Sequence, residues 1–203
     1  MNSIEKFFLP PCSPTHLPGE MKQSGERPTL HLLRRDLEHL YLQENESDAS
    51  ELQKHRAPYL ASIGILTGID LMSKFYSNSA KQNRKWFVEF LVDIGELQGS
   101  DAEFLWEFRN ALHHSYSLAL KSSQNIVFTT EINGLQWHTL KAGNHVVNLW
   151  GLKRLFLGLA KKYSTKLATD RGLLAKFEVW YEKAGAIFVA GEEKRPGFIP
   201  ESL

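Results

Sequence analysis

Apolar residues return at helical spacing through most of this chain. From Thr29 the positions Leu30, Leu32, Leu33, Leu37, Leu40 and Tyr41 recur with charges between them, a period that predicts a first amphipathic helix. Asp48 or Ser50 then caps a second helix, interrupted at Pro58 before the long apolar stretch Tyr59 to Tyr76, which is expected to be the most buried. A third helix over about 81–97 places Trp86, Phe87, Phe90, Leu91 and Ile94 on one side. Gly99 ends it, and Ser100 or Asp101 starts a fourth helix running to roughly residue 118. After Lys121 the period changes to 2. Ile126, Phe128 and Thr130 alternate, Asn133-Gly134 offers a type I′ turn, and Leu135, Trp137 and Thr139 return, so the pattern predicts a β-hairpin over about 124–140. Two further helices are expected over about 147–166 and 170–190, the second carrying Leu173, Leu174, Phe177, Trp180 and Tyr181.

These elements predict a mainly α fold, an antiparallel helical bundle with a small β-hairpin insertion, in a single domain over 29–190. Residues 1–28 contain Pro10, Pro11, Pro14, Pro18 and Pro28 without a sustained period, and are expected to form a flexible N-terminal arm. Residues 191–203 read as a polar C-terminal tail.

Composition narrows the function classes. A chain of 203 residues can bury a core without disulfide or metal staples. The single cysteine, Cys12, excludes a disulfide framework or a cysteine-based zinc site within one chain, which fits a reducing, cytoplasmic setting. The run Phe7 to Pro11 is too short and proline-broken for a signal segment, and no window approaches the roughly 18 apolar residues of a membrane span, so no membrane partner is expected. A net charge of +1 argues against a broadly cationic surface. Between Trp150 and Lys176, however, Lys153, Arg154, Lys161, Lys162, Lys166, Arg171 and Lys176 stand against the single acid Asp170. This segment is either a local basic face for a polyanion or a solvated face whose acids lie elsewhere in space.

The chemistry concentrates in Phe108-Arg109-Asn110-Ala111-Leu112-His113-His114. Arginine binds phosphate bidentately, and histidine exchanges a proton near neutral pH, so the pairing points to phosphate-ester chemistry. On a helical wheel Phe104, Leu105, Ala111 and Leu112 fall within about 60° of Phe108 and form the core stripe. Trp106, Arg109, Asn110, His113 and His114 occupy the other half. A large aromatic among polar groups on an outward face implies that something covers it. Arg109 and His113, four apart, project within about 40° of each other, whereas Arg109 and His114 diverge by about 140°. For Arg109 and His114 to meet at one phosphate, the helix must loosen near His114 or a second copy must bring its own helix alongside.

The run Arg109-Asn110-Ala111-Leu112-His113-His114 resembles the signature of the HEPN superfamily, in which an arginine and a histidine are separated by four to six residues, the first of them polar. More loosely, Gly64-Ile65-Leu66-Thr67-Gly68-Ile69-Asp70-Leu71-Met72 through Tyr76, then Trp86 to Leu91, is similar in order to the helices preceding that motif. The resemblance implies a helical bundle that commonly dimerises, with two motif helices lining one cleft and no cofactor or metal required. In active members the reaction is RNA cleavage. By that analogy His114 takes or returns a proton, Arg109 stabilises transition-state charge and Asn110 positions the phosphate or histidine. Expected partners are a second copy, RNA or a nucleotide, and a protein such as an antitoxin.

Blander readings stand beside these. Arg109 can form a structural ion pair with Glu103, Glu107 or an acid elsewhere, and His113 and His114 can sit at a helix C-terminus for its dipole. Trp106 and Tyr116 can each contact substrate or simply pack at an interface. Adjacent histidines diverge by about 100°, which disfavours a metal site at His113 and His114. His31, His39, His55, His138 and His145 are scattered and receive no role. Three readings follow: a metal-independent ribonuclease, a non-catalytic HEPN-like binding module, and a helical dimerisation protein.

Overall fold

The computed structural model describes residues 4, 7, 8, 26–28, 30, 58–78, 83–115, 125–129, 136–184 and 186–188. The predicted helix from Thr29 lies outside these residues apart from Leu30, which is buried. The fold is mainly helical with a small three-stranded sheet.

Helix α1 (Pro58–Ser77) carries the long apolar stretch. Pro58 occupies the first helical position, where its missing N–H costs no hydrogen bond. Ile65, Leu66, Ile69, Met72 and Phe75 are buried along it. α1 packs against all four other described helices: α2 (Arg84–Asp93), α3 (Gly99–Ser115), α4 (Leu149–Thr169) and α5 (Arg171–Ala184). Its placement at the hub follows from its composition. Asp70 and Lys74 are its only charged residues, so most of its circumference can be covered by neighbours.

α2 is shorter than its apolar pattern predicts. The Asn83 side chain accepts a hydrogen bond from the Lys85 N–H and starts the helix. Glu96, at φ 58°, and a Leu97 N–H bonded back to the Leu91 carbonyl end it before the predicted Leu97 boundary. α3 follows almost at once. Its expected core stripe is in place, with Phe104, Leu105, Phe108 and Leu112 buried.

The strands differ from the predicted hairpin. Strand β2 (Ile126–Thr129) lies parallel to β4 (Asn144–Asn148), with Ile126 opposite His145 and Thr129 opposite Asn148. β3 (His138–Lys141) pairs antiparallel on the other side of β4, so β2 and β3 are separated by β4. The hairpin turn is Ala142-Gly143, at φ 50° and 78°, the left-handed pair that a two-residue type I′ connection needs. Alanine at the first of these positions carries no turn signal, which is why the pattern pointed to Asn133-Gly134 instead. That dipeptide lies outside the described residues. Asn148 ends β4 and caps α4 by accepting from the Gly151 N–H at 3.0 Å, so strand residues occupy the first two positions of the predicted 147–166 helix.

Gly151 sits where helix and sheet approach most closely. A Cβ there would come within 2.5 Å of the Trp137 Cα. The obstacle is backbone, which yields poorly. Gly151→Ala is therefore expected to destabilise the fold by about 1–3 kcal/mol through overpacking, measured as a shift in the urea midpoint.

Within residues 1–28 the structure describes residues 4, 7, 8 and 26–28. Phe7 is fully buried, with ring centroids 4.7 Å from Phe75 and 5.3 Å from Phe177. Strand β1 (Glu26–Pro28) pairs antiparallel with β5 (Ala186–Phe188), and this second strand replaces the last turn of the predicted 170–190 helix. The 191–203 tail lies outside the described residues. Among the described residues no helix is long and apolar enough to cross a membrane.

Candidate functional site

The motif helix α3 meets α1 over two turns of each. Arg109 Nη2 lies 3.2 Å from Asp70 Oδ2, and one turn further along α3 the His113 Nε2 is 3.4 Å from Thr67 Oγ1. Position increases along α3 as it decreases along α1, so the two helices run antiparallel where these pairs form. Arg109 Nη1 donates to Asn110 Oδ1 at 2.9 Å, linking adjacent side chains. Asp70, Arg109 and Asn110 thus form one chain of polar contacts.

Burial decides what that chain can do. The Arg109 and Asp70 side chains are only 7% and 8% exposed. Arg109 was placed on an outward face by the wheel; here that face is turned against α1, and an acid elsewhere in the sequence supplies its partner. The charge of the guanidinium is thereby balanced before any phosphate arrives. A buried charge without such a partner would be expelled, so the pair is the condition under which Arg109 can occupy this position at all.

Trp106 is half-buried. Its ring lies 5.5 Å from that of Phe87 on α2 and 5.5 Å from the Arg109 guanidinium carbon. The covering that its sequence position implied therefore comes at least in part from the same chain, through α2 and a cation–π contact. The backbone of His114 continues α3, but its side chain, like Tyr116, lies outside what is described. Arg109, Asn110 and His113 are brought together on one side.

Asp70 could have been found from sequence by one signal. A carboxylate in a mostly apolar helix requires a partner, and the motif's Arg109 is a candidate beside Lys74, four residues further along the same helix. Thr67 carried no comparable signal.

The cationic segment of α4 and α5 is partly neutralised. Lys162 bonds Glu96 at 2.7 Å and Lys166 bonds Asp93 at 3.0 Å, while the Lys153 ammonium lies 5.3 Å from the Trp150 ring. The Lys166 hydrogen bond holds the Asp93 carboxyl below its ordinary range. Tyr76 also donates to Asp93, and burial together with that bond pushes its hydroxyl up to about 12. For Lys162 and Lys166 the acids do lie elsewhere in space, at the end of α2. Lys161, Arg171 and Lys176 remain exposed.

A second polar group gathers at the other end of α3. His138 and His145 stack over Phe104, with His138 also beside Asp101. Among the described residues no group of three or more His, Cys, Asp or Glu side chains is arranged to hold a metal ion. Compared with known proteins, the chain matches no family model, no curated protein and no solved structure.

Proposed function

We propose that this protein is a HEPN-like helical module that acts on RNA as a homodimer, cleaving it without a metal ion at a cleft to which each copy contributes its α3 helix. The observation that carries the reading is the Asp70–Arg109–Asn110 chain, which fixes the motif's arginine and polar residue side by side on the helix that also bears His113 and His114. With Arg109 buried and paired to Asp70, our reading gives it a positioning role, holding Asn110 and the register of α3. His114 remains the proton-transfer group, taking the proton of the attacking 2′-hydroxyl or returning one to the leaving oxygen, and Asn110 contacts the phosphate.

A second reading, a non-catalytic module that binds RNA, a nucleotide or a protein such as an antitoxin, is favoured by the same burial. A guanidinium already on a carboxylate has little charge left for a phosphorane-like transition state.

Incubating the purified protein with mixed labelled RNAs in chelator, beside Asn110→Ala, Arg109→Ala and His114→Ala, distinguishes the two. The enzyme reading expects cleavage by the wild type and a loss of about 10²–10⁴-fold in His114→Ala with folding and dimerisation intact. RNA binding without cleavage supports the non-catalytic module. Neither binding nor cleavage, with dimerisation lost in the variants, leaves α3 as a dimerisation surface alone.

A further inference from the structure

His138 and His145 lie on neighbouring strands, where His138 is opposite Val147 and Leu140 is opposite His145. Positions displaced by two across an antiparallel pair share a face, so both imidazoles project to the same side. The Phe104 ring of α3 lies against both, 4.2 Å from each centroid and inclined by 22° to His138 and 8° to His145. His138 Nε2 and His145 Nδ1 are 2.7 Å apart. The other nitrogen of His138, Nδ1, is 3.7 Å from Asp101 Oδ1 in the first turn of α3.

A nitrogen–nitrogen distance of 2.7 Å accommodates one hydrogen, donated by one ring and accepted by the other. With both rings neutral this bond forms. A first added proton preserves it as a charged hydrogen bond, and the Asp101 carboxylate balances that charge. A second proton places two N–H donors against each other with no acceptor between them, and the rings must separate. The strands then lose their shared stack on Phe104.

We propose that Asp101, His138 and His145 form a proton-operated clamp that holds the β3–β4 hairpin on the motif helix at neutral pH and releases it in mild acid. The clamp works whether or not α3 handles RNA. Burial lowers both imidazoles below the ordinary value of 6.5, and His145 adds a further lowering effect on His138. The charged groups that oppose this shift both come from α3: Asp101 acts on His138 and Glu107 on His145. Because the folded rings bind protons more weakly than free histidine, the docking free energy is fully present above the ordinary value. It is lost as the pH falls below that value through the lowered ones.

Hydrogen exchange on the full chain tests this, comparing residues 138–148 with residues 152–167 of α4 and correcting for intrinsic exchange. Between about pH 7.5 and about pH 5.5, protection of the hairpin is expected to fall by about tenfold or more relative to α4, a differential opening of that segment. His145→Phe keeps a ring on Phe104 but removes the second protonation site, and should abolish most of that fall. Hairpin protection that tracks α4 across the range, or an equal fall in His145→Phe, would overturn the clamp. Should that variant not fold, imidazole carbon shifts of the wild type decide the matter. Two coupled, lowered titrations support the proposal, and two independent titrations at the ordinary value sink it.

Discussion

Asp70→Ala is expected to destabilise the protein by about 3–5 kcal/mol, the cost of leaving a buried charge without its partner. Against a total stability of about 5–15 kcal/mol this is a large share, and it should be visible as a lowered urea midpoint. The cause is Arg109, 7% exposed and inside the α1–α3 contact. Without the carboxylate its guanidinium loses the anion it meets on α1, while the neutral Asn110 oxygen and the Trp106 ring remain beside it. The pair itself is not optimal, since Asp70 Oδ1 has no hydrogen-bond partner among the described residues. Replacing both members with apolar side chains of similar length, Asp70→Leu with Arg109→Met, should therefore lie within about 1 kcal/mol of the wild type or above it. This contrast between single and double variants is the signature of the buried pair. A cost below about 1 kcal/mol for Asp70→Ala would mean that Arg109 reaches water instead, and would return it to the list of groups able to meet a phosphate.

The same pair marks how far the sequence could be read. Periodicity located α3, α4 and α5 because each buries one apolar stripe, and a long apolar run located α1; both are local properties of the sequence. The core face of α3 was legible down to Phe104, Phe108 and Leu112. The opposite face was not, because a wheel marks Arg109 as polar without knowing that Asp70, 39 residues earlier, waits on the neighbouring helix. Strand pairing failed for a related reason. Alternation identifies strands but says nothing of which edges meet, and the parallel β2–β4 pairing is non-local. The turn at Ala142-Gly143 is set by backbone conformation that alanine only tolerates, so composition carries no signal for it and favours Asn133-Gly134, which lies outside the described residues. His138 and His145 looked scattered because neither register nor the position of Phe104 is written in their spacing.

Phe7→Ala is expected to cost about 3–5 kcal/mol, as for truncating a fully buried core phenylalanine. A flexible arm would instead give a change within about 0.5 kcal/mol, the range of an exposed substitution, so the outcome separates the two descriptions of the N-terminal region without ambiguity. The larger value follows from where the ring sits. Phe7 lies among Phe75 of α1 and Phe177 and Tyr181 of α5, at 4.7, 5.3 and 6.3 Å between centroids, with Phe8 packed at 4.9 Å. Phe177 also approaches Tyr163 of α4 at 6.2 Å, so the ring from the arm completes a cluster that ties three helices together. Removing it leaves a cavity whose walls belong to different elements and cannot all collapse at once. Phe177→Ala provides the internal scale: both substitutions should lower the urea midpoint by similar amounts and weaken the near-ultraviolet dichroism of the packed aromatics. The β1–β5 strand pair gives the arm a second attachment, since Glu26 to Pro28 are held against Ala186 to Phe188. Deleting residues 1–8 should then cost at least as much as Phe7→Ala, since Ile4 and Phe8 leave with that ring, while leaving the strand pair protected from hydrogen exchange, which locates the energetic contribution in these packed side chains and not in the arm as a whole.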